Sequence, residues 1–303
     1  MAHLLDFIQN HDAETVLTTL YVLVDDAYPL ACAALGWQGR ERGTEPQFTD
    51  SEVLTLVYYA ELYHGGNETL GWSFIKNNFK ALFPDLISRT RFNRRRRAVD
   101  FLIEPIRRIW LAWLHLDEDA ERIIDSLPVH FCQYVRGKRC RLIHEQEDYG
   151  PDEFFGRVPS KKEQLCGVKW HISTTPWGVV DAHLPAPASY HDVTVAGAVL
   201  RLSGGQFVAG DKAYQSQRLT EEVKEQTGKD LCALRKKNQA PYGAWFTEKL
   251  KALRRRIEGA FSVLAGRFGI EWPGGHSLES LLHRAKSKIA VHTVCFLLAA
   301  LLD

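Results

Sequence analysis

The order of apolar and polar positions divides the chain into two regions with different periodicity. Up to about residue 118, apolar residues recur every three or four positions, which is typical of amphipathic helices. From about residue 119, short apolar and β-branched runs end at glycine, proline or aspartate, which is typical of strands that alternate with helices. The pattern predicts a helical domain over residues 1–118 and an α/β domain over residues 119–303.

The clearest helix of the first region lies in FTDSEVLTLVYYAELY. Thr49 followed by Glu52 three residues later forms a capping box, which marks the start of a helix. The predicted buried stripe consists of Val53, Leu56, Val57 and Ala60. Gly65 and Gly66 indicate its end, because glycine accepts the left-handed backbone of a helix C-terminus.

Two more helices are predicted after it. ETLGWSFIKNNF indicates a short helix that stops before Pro84, and a third helix opens at Ser88 and runs through SRTRFNRRRRAVDFLIEPIRRIW. A short helix, a turn and an arginine-rich helix outline a helix-turn-helix motif. The sequence therefore predicts an all-α, helix-turn-helix-like domain that binds DNA.

The third helix begins with an unusual concentration of positive charge. Six arginines lie within nine residues that contain no acid, and they are Arg89, Arg91, Arg94, Arg95, Arg96 and Arg97. A solvated helix face is the simplest explanation for a charge run. Charge is also unevenly placed, with two basic and eleven acidic residues over 1–74 but ten basic and three acidic residues over 75–108. Contact with DNA phosphates explains such a basic element better.

The second region predicts the element order β-β-β-α-β-α-β-α. RIIDSLPVHFC is the first strand, and CGVKWHISTTPWGVVDAHLPA contains two strands joined by a turn at Thr175–Gly178. QFVAG and DLCALRK supply the remaining two strands, and amphipathic segments fill the gaps. Pro128 either argues against the first strand or marks a kink in it, because proline cannot donate to a sheet. Residues 137–165 form a charged, glycine-containing insertion.

The cysteines and the apolar segments indicate the compartment. Six cysteines are scattered without a C-x-x-C pair, which suits a reducing cytoplasm. The nearest approach to a zinc site is Cys132, Cys140, His144 and Cys166, whose spacing matches no common finger. The chain start lacks secretory-signal character, and VCFLLAALL is shorter than the roughly 20 residues of a membrane span. We expect a cytoplasmic protein without a membrane segment.

Three acids interrupt or border apolar runs. Asp125 follows two isoleucines, and Asp211 follows the run FVAG. A carboxylate in such a place must be paired, hydrogen-bonded or metal-bound, although an aspartate bonded to the backbone explains each one equally well. Glu258 falls at the border of the apolar face of its helix at 100° per residue. The alternative for Glu258 is an i,i+4 ion pair with Arg254, which contributes about 0.2–0.5 kcal/mol.

The segments that contain these acids resemble a known family. IIDSLPV, VAGDKAY and RRRIEGAFSVLAGRF are similar to the three acidic motifs of bacterial DDE-type insertion-sequence transposases, most like insertion-sequence family 982. FTDSEVLTLVYYAEL and FPDLISRTRFNRRRR are similar to the N-terminal helical region of that family, so the resemblance covers nearly the whole chain. It implies an RNase H-like catalytic domain with a mixed five-stranded sheet, preceded by the helical domain.

The resemblance also implies an activity. Asp125, Asp211 and Glu258 would be the catalytic residues and would bind two Mg²⁺ ions, for which Mn²⁺ can substitute. Two such ions activate a nucleophile and stabilise the leaving oxygen in phosphoryl transfer. The reaction would be metal-dependent cleavage of DNA at insertion-sequence ends and strand transfer into target DNA.

The expected partners follow from that reaction. The partner is double-stranded DNA, both the terminal inverted repeats of the element and the target, bound by a homodimer in the bacterial nucleoid. Besides the six arginines of the third helix, the residues expected to contact DNA are Lys212, Arg254 and Arg255.

One departure from the family limits what carries over. Related transposases often have a Tyr three residues before the motif arginine and a Lys seven residues after the glutamate, whereas this chain has Lys251 and Ala265 there. Roles of that Tyr and Lys therefore do not transfer. Two alternatives stay open: a magnesium-dependent DNA nuclease without strand transfer, and a DNA-binding regulator with a degenerate nuclease domain. The intact set of three acids argues against the regulator.

Overall fold

The computed structural model describes residues 4–39, 44, 46–116, 119–145, 147–236 and 238–302. The chain is an α/β protein that forms two compact units. The first unit contains residues 1–115 together with 283–303, and the second contains residues 116–282. Residues 117 and 118, where the predicted domain boundary falls, lie outside the described residues.

The first unit is entirely helical in its described part. Its helices are α1 (Phe7–Asn10), α2 (Ala13–Leu35), α3 (Asp50–His64), α4 (Glu68–Asn78), α5 (Arg89–Ala98), α6 (Ile103–Trp113) and most of α10 (Leu278–Leu302). The capping box is present at the start of α3, where Thr49 and Glu52 bond each other's backbone N–H, and Gly65 ends the helix in the left-handed conformation.

Helix α3 is buried on all sides and not only along the single predicted stripe. Every residue from Val53 to Leu62 is buried, including Thr55 and Glu61. A helix that is apolar on all sides belongs in the middle of a helical core. The predicted four-residue stripe was therefore too narrow, because the pattern showed one face and the packing covers all of them.

The predicted third helix is broken into two. Helix α5 ends at Ala98, a short 3₁₀ turn follows at Asp100–Leu102, and α6 begins at Ile103. The break places Pro105 in the first turn of α6, where proline needs no hydrogen-bond acceptor.

The connection before the arginine-rich helix also differs from the prediction. Residues 79–88 separate α4 from α5, whereas a helix-turn-helix motif has a turn of about three or four residues. A tight turn of Gly65, Gly66 and Asn67 lies one connection earlier, between α3 and α4.

The C-terminal helix belongs mainly to the first unit, whereas the sequence placed all of 119–303 in the second domain. Residues 287–295 of α10 are buried. Among them, Lys288 Nζ lies 2.6 Å from Glu61 Oε2, and both side chains are buried. Most of α10 therefore belongs to the core of the helical unit, and Lys288 forms an ion pair there.

The second unit contains the sheet. Its strands are β1 (Glu121–Cys132), β2 (Phe155–Val158), β3 (Glu163–Thr174), β4 (Val180–Pro187), β5 (Phe207–Gly210) and β6 (Asp230–Ala233). Its helices are α7 (Asp192–Leu202), α8 (Gln217–Thr227) and α9 (Ala244–Gly266). The predicted order of strands and helices is confirmed, and β2 is added within the predicted insertion.

The sheet is mixed and has six strands rather than five. The strand order is β2-β3-β1-β5-β6, and β4 also pairs with β3. Strands β2 and β4 pair with successive parts of β3, residues 163–166 and 168–174, so they share one edge position. Strand β3 runs antiparallel to β1, whereas β5 and β6 continue the sheet in parallel. Pro128 lies inside β1, opposite Lys169, without ending the strand.

Alternate residues of β1 face two different hydrophobic clusters. Ile123 packs with Leu250, Leu253 and Ile257 of α9. Ile124 packs with residues of α7 and α8 on the opposite face of the sheet. Because side chains alternate along a strand, Asp125 shares the α9 face and Ser126 shares the α7 face.

Two helices are long and apolar enough to cross a membrane, judged by length and composition. They are α2 and α10, and 39% and 67% of their most apolar windows are buried inside the structure. A core helix of a soluble protein and an N-terminal signal sequence meet the same criteria. This corrects the expectation that every apolar segment is too short for a span, which considered the last nine apolar residues without the rest of their helix.

Candidate active site

The three predicted acids lie at one edge of the parallel strands. Ile124 of β1 is paired with Gly210, the last residue of β5, so Asp125 in β1 lies beside Asp211, which directly follows β5. Glu258 lies on α9, directly after Ile257, which packs against the same face of the sheet. Three segments that are distant in sequence therefore bring their carboxylates to one place, which we call the acid site.

Arg254 links two of these carboxylates. Its Nη1 donates to Asp211 Oδ1 at 3.0 Å, and its Nε lies 3.1 Å from Glu258 Oε1. All three side chains keep access to solvent, with exposed fractions of 38% for Arg254, 26% for Asp211 and 52% for Glu258. The i,i+4 pair suggested by the sequence is present, and it is shared with a third group from the sheet.

Asp125 is the least well compensated of the three. Its Oδ1 accepts a hydrogen bond from the backbone N–H of Ser126 at 2.8 Å. The pKa of Asp125 is raised to about 7, chiefly by burial and also by the charges of Asp211 and Asp192, against the effects of the Ser126 bond and Arg254. A carboxyl group with such a pKa lacks a cation, and it is a place where a bound cation would be stabilising.

A fourth acid lies beside the site. Asp192, the first residue of α7, accepts a hydrogen bond from Ser126 Oγ at 3.2 Å, and Lys169 Nζ lies 3.6 Å from the same carboxylate oxygen. His191, at the N-cap of α7, makes no capping bond with its side chain. The sequence shows Asp192 as an acid shortly after the β3–β4 hairpin, at the start of α7. Its neighbours in the chain do not indicate that it faces Ser126.

A basic cavity adjoins the acid site. Its volume is about 590 Å³, and Glu258 is the one acid among its described lining residues. The cations that line it are Lys212, Arg235, Lys236, Lys251, Arg254 and Arg255. The structure thus brings the predicted Lys212, Arg254 and Arg255 together and adds three more cations. Lys237, which follows Lys236 in the chain, lies outside the described residues.

The donor atoms of the acid site are those that magnesium prefers. Carboxylate oxygens bind hard divalent cations, and Asp125 provides a carboxyl group whose charge is otherwise poorly compensated. Within the described parts of the chain, no three His, Cys, Asp or Glu side chains are already arranged to hold a metal ion. Arg254 occupies the position between Asp211 and Glu258.

The arginines of α5 divide into two groups. Arg95 forms an ion pair with Asp50 and also donates to Phe48 O. Arg96 is buried, and its Nε lies 2.9 Å from Glu68 Oε1. The other four, Arg89, Arg91, Arg94 and Arg97, are exposed. The sequence treated all six as equivalent, because the partners of Arg95 and Arg96 lie 28 to 47 positions away in the chain.

Comparison of the chain with protein-family models, curated proteins and solved structures found no match. The acid site and its basic cavity are therefore the basis on which a function can be assigned.

Proposed function

We propose that the protein is a DDE-type insertion-sequence transposase, which cleaves DNA at the ends of an element and joins those ends to target DNA. The observation that carries the proposal is the acid site, where Asp125, Asp211 and Glu258 meet beside a cavity lined by six cations. Carboxylates that bind divalent cations next to cations that bind phosphates are what phosphoryl transfer on DNA requires.

The topology of the second unit supports an RNase H-like domain as part of this proposal. Strands β1, β3 and β4 are neighbours in the sheet and antiparallel, and β5 and β6 extend the other side of β1 in parallel. Helices cover both faces of the sheet. In such a domain the acids stand on the central strand, its parallel neighbour and a covering helix, which are the elements that hold Asp125, Asp211 and Glu258.

The acid site would hold two Mg²⁺ ions, with Asp125, Asp211 and Glu258 as ligands. When bound, the ions activate a water or a DNA 3′-hydroxyl for in-line attack on phosphorus and stabilise the leaving oxygen. Metal binding would compete with Arg254 for the carboxylate oxygens of Asp211 and Glu258, and the freed guanidinium would be available to a phosphate. Asp125 loses the proton that its raised pKa allows it to keep near neutral pH.

The cations of the basic cavity position the DNA. Lys212, Arg254 and Arg255 neutralise backbone phosphates beside the scissile bond, and the planar guanidinium groups can each make two hydrogen bonds to a phosphate. The exposed arginines of α5, such as Arg94 and Arg97, bind the duplex elsewhere on the chain. Binding of two element ends requires a homodimer, and the site of action is the cytoplasmic nucleoid.

Product analysis tests the proposal. The full chain is incubated with DNA that carries the inverted repeats flanking its gene, together with a target plasmid and Mg²⁺, Mn²⁺ or EDTA. We expect metal-dependent cleavage at the repeat ends and covalent joining to the plasmid. Cleavage without joining would identify a nuclease, and absence of metal-dependent cleavage in the wild type would refute the enzymatic proposal.

A further inference from the structure

Three cysteines outside the acid site converge at the far end of β1. Cys132 and Cys166 face each other in the β1–β3 ladder, and their Sγ atoms are 3.8 Å apart. Cys140 follows the 3₁₀ turn Tyr134–Arg139 and hydrogen-bonds with the Cys132 side chain. All three are free thiols. Their clustering is specific, since Cys32, Cys232 and Cys295 are on other elements.

The backbone already places Cys132 and Cys166 for a covalent bond. A disulfide needs its sulfur atoms about 2.05 Å apart and is favoured between residues that lie close with their side chains directed at each other. Directly paired residues on antiparallel strands have Cα atoms about 4.5–5.5 Å apart, which falls in the range of disulfides. Closing the remaining distance requires small side-chain rotations and leaves the ladder intact.

The three thiols differ in their access to solvent. Cys166 is buried, whereas Cys132 and Cys140 are partly exposed. Four basic side chains, Arg136, Lys138, Arg139 and Arg141, are exposed around Cys140. The thiolate is the form that reacts with oxidants, and burial raises the pKa of both Cys132 and Cys166. Cys140 is therefore the thiol at which a small oxidant enters, and Cys166 is shielded from direct attack.

We propose that Cys132, Cys140 and Cys166 form an oxidisable thiol triad, in which hydrogen peroxide or a related peroxide produces a Cys132–Cys166 disulfide by way of Cys140. This site is independent of the proposed transposase reaction. The cross-link ties the end of β1 to β3, at the β-bulge between His130 and Cys132.

The chemistry balances with one peroxide. The Cys140 thiolate attacks the peroxide and becomes a sulfenic acid, with release of hydroxide. The Cys132 thiolate then attacks Cys140 Sγ and expels a second hydroxide, which forms a Cys132–Cys140 disulfide. Finally, the Cys166 thiolate attacks Cys132 Sγ and Cys140 leaves as a thiolate. Two thiols and one hydrogen peroxide thus give one disulfide and two waters.

Burial makes the last two steps dependent on pH. Burial raises the pKa of Cys132 to about 12, and Cys166 and the bond with Cys140 contribute to the same rise. Burial also raises the pKa of Cys166. Because the thiolate is the nucleophile, the rate of disulfide formation should increase from pH 7 to pH 9.

Thiol counting and peptide mapping test the triad in the full chain. After treatment with hydrogen peroxide and quenching, we expect four of the six thiols to remain under denaturing conditions, with a cross-linked peptide pair that contains Cys132 and Cys166. Cys140→Ser should slow its formation at least about tenfold, since peroxide must then react at a thiol whose pKa is raised by burial. Cys232→Ser is the matched control, and its rate should stay within about twofold of wild type.

Retention of six thiols, sulfinic acid without a cross-link, or a disulfide that involves Cys32, Cys232 or Cys295 would each overturn the proposal. A stable Cys132–Cys140 product would overturn the assigned pairing. The wild-type map needs no variant, so misfolding of a serine variant does not affect it.

Discussion

Two aspartates on neighbouring parts of the same sheet have opposite surroundings. Asp181 of β4 accepts hydrogen bonds on Oδ2 from Arg122 Nε, Ser203 Oγ and Gly204 N at 2.8, 2.7 and 2.7 Å. Burial alone would raise its pKa, but these donors hold the pKa below its usual value. Asp125 of β1 accepts one backbone bond, and burial raises its pKa to about 7.

The difference lies in how completely the fold compensates each carboxylate charge. The Arg122–Asp181 pair is buried, with 1% and 12% of the two side chains exposed, and Arg122 also donates to three backbone carbonyls. The protein's own groups therefore provide the hydrogen-bond partners of both Arg122 and Asp181. At the acid site, the partly exposed Arg254 is shared by two carboxylates and does little for Asp125. A buried carboxyl group that the fold leaves undercompensated is a candidate for binding a ligand.

The largest expected effect is on catalysis. Asp125→Asn, Asp211→Asn and Glu258→Gln each remove one metal-ligand charge but keep the side-chain shape, so each should reduce DNA cleavage at least about a thousand-fold. Cleavage rates with end DNA and Mg²⁺ measure this, and circular dichroism checks the fold. Cleavage close to the wild-type rate in any one variant would remove that residue from the site.

The next largest effect is on stability and concerns the buried Arg122–Asp181 pair. Asp181→Ala leaves the buried Arg122 without its carboxylate and should lower the free energy of unfolding by about 3–5 kcal/mol. Denaturant unfolding measures the loss. Asp211→Ala is the control, because its partner Arg254 keeps access to solvent and a second partner in Glu258, and changes at the surface usually stay within about ±0.5 kcal/mol. Equal losses in both variants would abolish the distinction between the two aspartates.

The same distinction applies to the arginines of α5 and predicts a change in DNA binding. Replacing the exposed Arg94 and Arg97 with Gln should lower the slope of log K against log salt by about 0.9 for each lost phosphate contact. Arg96→Gln should instead reduce stability and leave the slope unchanged, because Arg96 pairs internally with Glu68. An unchanged slope and affinity in the double variant would mean that this helix face does not bind DNA.

A smaller effect is expected on the pH dependence of metal-free stability. The pKa of Asp125 rises from 3.8 to about 7 on folding, so the folded state binds more protons and loses stability as pH increases through that window. Asp125→Asn should therefore melt about 3 °C or more above wild type at pH 8 and near the wild-type temperature at pH 4.

Addition of Mg²⁺ tests whether the uncompensated charge of Asp125 causes the lower stability of the wild type at pH 8. A bound cation should raise the melting temperature of the wild type at pH 8 and leave Asp125→Asn nearly unchanged. If the metal-free wild type were already the more stable protein at pH 8, Asp125 would be as well compensated as Asp181.

The smallest effect concerns an exposed lining residue of the basic cavity. Arg255→Gln should change the free energy of unfolding by no more than about 0.5 kcal/mol while it slows cleavage several-fold. Arg256→Gln is the matched control, because Arg256 is exposed on the same helix and is not among the described residues that line the cavity. Equal cleavage by both variants would show that Arg255 does not position DNA.

Much of the local structure was available from the sequence. The capping box at Thr49, the hairpin around Thr175–Gly178 and the order of strands and helices from β1 to α9 were predicted and are observed. These features depend on residues within one helical turn or one hairpin. Periodicity also placed Asp125 and Asp211 at buried strands, because a charge inside an apolar run is visible without any partner.

Tertiary structure decided which side chains meet. Asp192 next to Ser126, Arg96 bound to Glu68 and Cys132 facing Cys166 all join residues that are 28 to 66 positions apart. Strand register and helix packing set these distances, and a register shift of one residue would turn each strand side chain to the other face. Sequence by itself determined which residues carry chemistry, whereas long-range packing decided which of their charges are compensated and which are left for a ligand.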